Sequence, residues 1–152
     1  MRSYPGLTFR PLTLDDAHEL AYLELEIFTA PWSESSLRSC LHLPHVEGEA
    51  AVIGGAIIGY IFSQFAKGEA HLLNIGVRKY YRRQGIGREL LERFLKTCEK
   101  YESKLSFLEV RAKNRTAQQM YYQYGFMPLS VRESYYPDGE DALILVRYFD
   151  KD

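Results

Sequence analysis

The segment Arg82-Arg83-Gln84-Gly85-Ile86-Gly87-Arg88 lies between a predicted strand and the clearest predicted helix of this sequence. The strand runs from Glu69 to Val77, and the helix runs from about Gly87 to Lys100. Glycines at a helix N-terminus let unpaired backbone N–H groups approach a ligand closely, and the helix dipole adds partial positive charge there. The segment therefore predicts a pyrophosphate-binding site. The helix is predicted from apolar residues that recur at helical spacing, namely Ile86, Leu90, Leu91, Phe94, Leu95 and Cys98.

Other glycine loops fit this segment less well. A Walker loop has a lysine and then a serine or threonine after its last glycine, but here Gly87 is followed by Arg88 and Glu89. A dinucleotide-binding fingerprint has a third glycine, and Leu90 occupies that place. The glycine spacing alone does not separate a ligand loop from an ordinary strand-to-helix turn.

The flanking sequence predicts a mixed α/β sheet covered by helices. Thr13 with Asp16 predicts a helix start, and Ser33 and Asn114 are predicted caps of two further helices. The paired glycines Gly54-Gly55 predict a hairpin. The predicted order is strand, two helices, three strands, helix, strand, helix and two strands. The strands are predicted at 7–10, 49–53, 56–65, 69–77, 105–111, 129–136 and 142–149.

Composition predicts a single globular domain over residues 1–152, because the chain has no repeat, linker or low-complexity tract. The net charge of −1 argues against broad nucleic-acid binding. Cys40 and Cys98 are too few for a disulfide framework, and Cys98 is expected in the core. We expect a cytoplasmic protein with no signal peptide and no membrane partner, since the most apolar stretch, 50–62, is short and broken by glycines.

The arginine–glycine segment resembles the Arg/Gln-x-x-Gly-x-Gly/Ala signature of the GNAT acetyltransferase superfamily. The resemblance continues on both sides of the loop, in Leu73-Asn74-Ile75-Gly76-Val77 and in Leu108-Glu109-Val110-Arg111 followed by Asn114, Ala117, Tyr121, Gly125 and Phe126. The RimI-type branch is indicated by Pro31-Trp32-Ser33-Glu34, Tyr135-Tyr136-Pro137 and Glu140-Asp141-Ala142. One departure is Gly76, where the family more often has alanine, and we expect it to leave the backbone role of that strand unaffected.

The resemblance implies a mostly antiparallel mixed sheet flanked by about four helices, with acetyl-CoA as the acetyl donor. It implies that the loop holds the pyrophosphate and that the strand before it pairs with the pantetheine arm. The implied acetyl-CoA-binding residues are Ile75, Val77, Arg82, Arg83, Gln84, Gly85, Ile86, Gly87, Arg88, Asn114 and Tyr121.

Glu109 is the implied general base and Tyr121 the implied general acid. Glu109 alternates with the apolar Leu108 and Val110, so the pattern alone favours an exposed strand charge, and only the resemblance favours a base. A phenol is protonated at neutral pH and can donate to a departing thiolate, although Tyr121 also shares a helix face with Ala117. A protein α-amine, with a reference pKa of about 7.7–8.0, needs a weaker base than a lysine at about 10.4.

The expected function is transfer of an acetyl group to a protein N-terminal α-amine. By resemblance, the acceptor is the N-terminal alanine of a small-subunit ribosomal protein. The alternatives are acetylation of lysine or a small amine, or a non-catalytic acetyl-CoA-binding module. The four histidines lack metal-ligand spacing, so no metal is assigned. Aromatic and proline residues expected to flank the acceptor cleft, or simply to pack, are Phe28, Pro31, Trp32, Tyr135 and Tyr136.

Overall fold

The computed structural model describes residues 4–149 and has the predicted order of elements. The strands are β1 (Thr8–Pro11), β2 (Val46–Ile53), β3 (Ala56–Ala66), β4 (Glu69–Val77), β5 (Leu105–Arg111), β6 (Met127–Arg132) and β7 (Ala142–Tyr148). The α-helices are α1 (Ala17–Ile27), α2 (Glu34–Leu41), α3 (Ile86–Lys100) and α4 (Arg115–Gln123), and short 3-10 helices cover Leu14–Asp16 and Lys79–Tyr81. None of the helices within residues 4–149 is both long and apolar enough to cross a bilayer.

The strands form one seven-stranded sheet in the order β1-β2-β3-β4-β5-β7-β6, in which only β4 and β5 run parallel. One face packs against α3 and α4 in a core that includes Leu90, Phe94 and Leu108. The other face packs against α1 and α2 in a second core that includes Leu20, Leu37 and Phe62. The mixed, mostly antiparallel sheet with four helices is therefore confirmed.

The thiol of Cys98 lies in the larger core, as expected. Its side chain is fully enclosed by that cluster, and burial raises the pKa of the thiol to about 12. A thiol of this kind stays protonated and unreactive at neutral pH. Cys98 therefore acts as a small apolar residue under α3.

The two central parallel strands pair only at their beginnings. Glu69, Ala70 and His71 of β4 pair with Leu105, Ser106 and Phe107 of β5. After that point β4 continues beside β3 alone, and β5 continues beside β7 alone. The sheet therefore splits into two halves, and a cleft opens between the second half of β4 and the second half of β5.

A β-bulge in β4 changes which side chains face each core. Asn74 pairs with Phe62 whereas Leu72 pairs with Ser63, so Leu73 is an extra residue in β4. Before the bulge, even-numbered residues such as Leu72 face the α3 core, and after it Ile75 and Val77 do so. The bulge thereby turns Asn74 towards α1.

Three predicted strand boundaries are wrong by two residues or more, and one of them is the start of β6, at Met127 instead of Leu129. The sixth strand was expected to extend to Tyr136, but β6 ends at Arg132. The ladder stops because Ser134 adopts a φ of +49° and its N–H donates to Asp141 Oδ1 at 2.9 Å instead of to a neighbouring strand. Tyr135 and Tyr136 consequently lie in the loop between β6 and β7, which we call the 133–141 loop.

The second strand begins earlier than expected, at Val46, because β2 continues to pair with β3 as far as Gln64.

A buried carboxylate ties α1 to the sheet. Glu24 is fully buried and accepts hydrogen bonds from the Tyr60 hydroxyl, from Asn74 Nδ2 at 2.7 Å and from the Trp32 N–H at 2.9 Å. Burial raises the pKa of Glu24, and these three donors only partly offset that rise. Gly76 leaves room for the network, since a Cβ there would lie 3.0 Å from the Tyr60 hydroxyl oxygen.

Replacement of Glu24 by glutamine is expected to destabilise the protein at pH 8. A carboxylate has two acceptor oxygens, whereas the glutamine amide has one. The NH2 group would face at least one of the three donors that now bond to Glu24, and a buried donor left unpaired costs about 1–3 kcal/mol. Urea denaturation measures the loss. The control is Glu26→Gln, two residues along the same helix, where an exposed ion pair with Arg78 is removed at a cost below about 1 kcal/mol. Equal losses for the two variants would contradict the role given to Glu24.

Candidate functional site

The N-terminus of α3 presents unpaired backbone donors at the mouth of the cleft. Gly85 caps the helix with a φ of +85°, a conformation that favours glycine. The first intrahelical bond runs from Glu89 N–H to the Gly85 carbonyl at 3.0 Å. The N–H groups of Ile86, Gly87 and Arg88 therefore have no partner within the helix, and they lie where the helix dipole is positive.

The surface around these donors is open enough for a phosphate group. A Cβ added at Gly85 would meet no atom within 4 Å, and one at Gly87 would only touch Val77 Cγ2 at 3.8 Å and Met120 Sδ at 3.9 Å. The predicted loop residues divide into two kinds. The side chains of Arg82, Arg83 and Arg88 are exposed, Gln84 is partly exposed, and Ile86 is buried, so Ile86 can offer only its backbone. These residues fit the pyrophosphate that the family resemblance implies.

In the second half of β4, every second residue directs its backbone N–H and C=O groups towards the cleft instead of towards β3. Arg78 N–H donates to Ile58 O at 2.9 Å, so by the alternation of an antiparallel ladder Asn74 and Gly76 bond to β3. Ile75 and Val77 therefore direct their N–H and C=O groups away from β3, to the side where β5 has departed.

Two of these four cleft-facing groups are already engaged within the protein. Ile75 N–H donates to Asn74 Oδ1 at 3.0 Å, and Val77 O accepts from Arg82 Nε at 2.9 Å. The groups left for a ligand on this strand are Ile75 C=O and Val77 N–H. The Arg82 side chain thus joins the loop to β4 and is less available to a phosphate than expected.

Glu109 lies on the cleft side of β5 and is held by a histidine. Its neighbours Leu108 and Val110 point into the α3 core, whereas the Glu109 side chain is 22% exposed on the opposite face. Glu109 Oε1 lies 2.9 Å from His71 Nε2, and the His71 ring stacks on Phe107 with 4.3 Å between centroids. The alternation of apolar and polar residues predicted the face of Glu109 correctly.

Tyr121 lies on α4, near Tyr136 of the 133–141 loop. Its ring is only 4% exposed and packs edge-on against Phe126, so it is also a core aromatic residue. Burial raises the pKa of Tyr121, and nearby Tyr136 adds to that rise. Among the hydrogen bonds of residues 4–149 none involves the Tyr121 hydroxyl. The side chain is therefore a protonated donor at neutral pH.

The 133–141 loop brings Tyr136 between these two groups. Tyr136 is half-buried, burial raises its pKa to about 12, and the charge of Glu109 contributes to the rise. The Arg111 guanidinium lies 4.0 Å from the centre of the Tyr136 ring and bonds to Asp138 at 2.9 Å and Glu140 at 2.8 Å. Arg111, which follows Glu109 on the same face of β5, therefore fixes the loop to the strand that carries the carboxylate.

The acceptor-side residues between α1 and α2 have different environments. The Trp32 ring packs edge-on against Phe62 with 5.3 Å between ring centroids, and the backbone N–H of Trp32 donates to Glu24. The residue is therefore anchored in the smaller core. Phe28 packs partly against the same core, whereas Pro31 is exposed. Tyr135 is also exposed and contacts Tyr136 edge-on. Pro31 and Tyr135 are therefore the more accessible of the five predicted residues.

Asn114 caps α4, as the sequence predicted. Its Oδ1 accepts from Ala117 N–H at 3.1 Å, which leaves the amide NH2 for another partner. Within residues 4–149 no group of three or more histidine, cysteine, aspartate or glutamate residues is arranged to hold a metal ion.

Sequence reasoning missed three residues of this site. From the sequence, His71 was considered only as a metal ligand, and Asn74 and Arg111 were named only as members of family motifs or strands. Arg111 lies two residues after Glu109, and strand alternation places both on one face. That signal was in the sequence, whereas the partners of His71 and Asn74 depend on strand register.

Comparison with known proteins agrees with this geometry. A family model described as an acetyltransferase (GNAT) domain matches residues 16–139. The chain is 34% identical over 141 residues to an Escherichia coli protein named ribosomal protein bS18-alanine N-acetyltransferase, covering 91% of this chain and 95% of that protein. It is 34% identical over 119 residues to an N-alpha-acetyltransferase of Sulfurisphaera tokodaii, covering 68% and 71%. The crystal structure of the ribosomal-protein-S18-alanine N-acetyltransferase from Escherichia coli superposes with a TM-score of 0.89 at 32% identity, over 96% of each chain.

Replacement of Gly85 by valine is expected to abolish binding of coenzyme A, because the side chain would stand over the helix donors and strain the positive φ. Gly55→Val is the matched control: Gly55 has a similar φ of +82° and open surroundings, but it lies in the β2–β3 hairpin. Both variants should lose about 1–2 kcal/mol of stability. Calorimetry with coenzyme A should detect binding in Gly55→Val alone. Binding in both would reject this site.

Proposed function

This chain belongs to the GNAT acetyltransferase family, and on that premise we propose that it transfers the acetyl group of acetyl-CoA to the α-amine of a protein N-terminus. The observation that carries the proposal is that Tyr136 lies close both to Glu109 of β5 and to Tyr121 of α4, beside the cleft where β4 and β5 part. A base and an acid beside one opening fit a reaction in which an amine loses a proton and a thiolate gains one.

Acetyl-CoA is proposed to lie from the N-terminus of α3 along β4. The N–H groups of Gly87 and its neighbours would bind the pyrophosphate, and Ile75 C=O and Val77 N–H would pair with the pantetheine arm. A backbone N–H aimed at the thioester carbonyl stabilises the negative charge that develops on its oxygen. Asn114 supports the same arm with its free amide hydrogens.

Glu109 is proposed to take the proton of the acceptor amine, and Tyr121 to protonate the leaving sulfur. The carboxylate is partly exposed and faces away from the core, so an amine can approach it. The phenol is protonated at neutral pH because burial raises its pKa. A carboxylate suffices because a sizeable fraction of a protein α-amine is already neutral near pH 7, unlike a lysine amine.

The natural acceptor is proposed to be the N-terminal alanine of a small-subunit ribosomal protein. The Escherichia coli relative carries that substrate in its name. Here Pro31 and Tyr135, the accessible members of the acceptor-side set, would contact the first residues of the peptide, and Tyr136 would stand beside the amine.

A peptide panel tests the acceptor. Peptides beginning with alanine are expected to gain one acetyl group at the α-amine, and the same peptides with a blocked N-terminus and an internal lysine should react far more slowly. Fragment mass spectrometry locates the group, and thiol release from acetyl-CoA gives the rate. Acetylation confined to lysine side chains, or to small polyamines, would contradict the proposal.

Replacement of Tyr121 by phenylalanine tests the acid. The ring and its packing on Phe126 remain, so stability should change little, while turnover should fall about 10²–10⁴-fold. Tyr122→Phe removes a phenol one residue along the same helix and serves as the control, with turnover unchanged. Intact turnover in Tyr121→Phe would make Tyr121 a purely structural residue.

A further inference from the structure

We propose that His71 is a positioning residue for acetyl transfer, which holds the catalytic carboxylate by donating a hydrogen bond from Nε2 to Glu109 Oε1. The inference rests on the proposed function, since it concerns the base of that reaction. It is drawn from the pairing of a histidine on β4 with a carboxylate on β5 at the point where the two strands separate.

The fold brings the pair together. His71 is the last residue of β4 that pairs with β5, opposite Phe107, and Glu109 follows Phe107 by two residues. Strand alternation places Glu109 on the same face of the sheet as Phe107, so the Glu109 side chain can reach the imidazole of His71. The Nε2 to Oε1 distance is 2.9 Å, and the side chains are 28% and 22% exposed. The stack on Phe107, with 17° between ring planes, fixes the orientation of the imidazole.

The position of the imidazole hydrogen follows from the chemistry of the partner. An ionised carboxylate only accepts hydrogen bonds, so the facing Nε2 must carry a hydrogen. Glu109 Oε1 is then occupied, and Oε2 remains for the amine. A glutamate side chain has three rotatable bonds, and a displacement of about 1 Å in a reacting group can cost about 10²-fold in rate. Fixing one oxygen therefore fixes the other where the amine arrives.

The charged or titratable groups around the pair are Arg111, Tyr136 and Glu69. Arg111, on the same face of β5, bonds to Asp138 and Glu140 and lies over the Tyr136 ring. Tyr136 approaches Glu109 from the 133–141 loop. Glu69 precedes His71 by two residues on its face of β4, and the residue paired with His71 on β3 is the neutral Gln64. Within residues 4–149, the carboxylate of Glu109 takes part in one hydrogen bond, and its partner is His71.

Two substitutions at His71 test the positioning role. His71→Phe keeps an aromatic ring for the stack on Phe107 but removes the donor, and it should lower kcat about 10²-fold while acetyl-CoA affinity and the KM for the peptide stay unchanged. His71→Gln keeps a donor nitrogen that can reach the carboxylate, and it should restore most of kcat.

A double-mutant cycle with Glu109→Gln provides the decisive test. If His71 acts only through Glu109, adding His71→Phe to Glu109→Gln should cause no further loss of kcat. Unchanged kcat in His71→Phe, an additive loss in the double variant, or weakened acetyl-CoA binding measured by calorimetry would each overturn the proposal. Glu99→Gln, an exposed residue of α3, controls for loss of a negative charge and should behave as the wild type.

A spectroscopic measurement keeps the inference separate from the proposed function and from any failure of a variant to fold. Ring ¹⁵N shifts of His71 in the wild-type protein at pH 8 should show the hydrogen on Nε2. A predominant Nδ1–H form would overturn the positioning role even in an active enzyme. If the Nε2–H form is found but the wild type acetylates no N-terminal peptide, the proposed function fails while the hydrogen bond stands.

Discussion

The short parallel pairing between β4 and β5 determines much of the site. Three residues on each strand hold the two halves of the sheet together, and the strands then separate, leaving backbone groups of Ile75 and Val77 facing an opening. Buried N–H and C=O groups need partners, so a sheet split in this way needs a ligand or water between its halves. The remaining N–H and C=O of this strand edge match the donor and acceptor groups of an extended amide chain such as pantetheine.

Each wall of the opening is held by its own set of contacts. On the β4 side, the bulge at Leu73 turns Asn74 towards Glu24, and Asn74 also accepts a hydrogen bond from the N–H of Ile75. Glu24 in turn accepts from the backbone N–H of Trp32, so β4 and the segment between α1 and α2 share one buried carboxylate. On the other wall, Arg111 joins the 133–141 loop to β5. Changes in the segment between α1 and α2 are therefore coupled to β4 through Glu24.

Local patterns in the sequence predicted most of the framework. The stripe of α3, the Gly54-Gly55 hairpin, the Asn114 cap and the face of Glu109 follow from periodicity or from the chemistry of single residues. The end of β6 could not be predicted in this way, because Asp141 captures the N–H of Ser134 from across the loop.

The hydrogen bond between His71 and Glu109 was equally hidden, because it requires the register of two strands that are 38 residues apart in the chain. The bulge at Leu73 also has no signature in the sequence, and without it Asn74 would face the opposite core. The roles of Glu109 and Tyr121 were predicted from the family resemblance. The hydrogen-bond partners of His71 and Asn74 could be found only from the structure.

Gly76 has a consequence for how this sequence can vary. The glycine gives space to a tyrosine hydroxyl that is fully buried and bound to Glu24. Positions 76 and 60 are therefore epistatic: a Cβ at 76 would lie 3.0 Å from the Tyr60 hydroxyl oxygen and 3.1 Å from the ring carbon that bears it, so alanine at 76 requires the ring to shift or the residue at 60 to change.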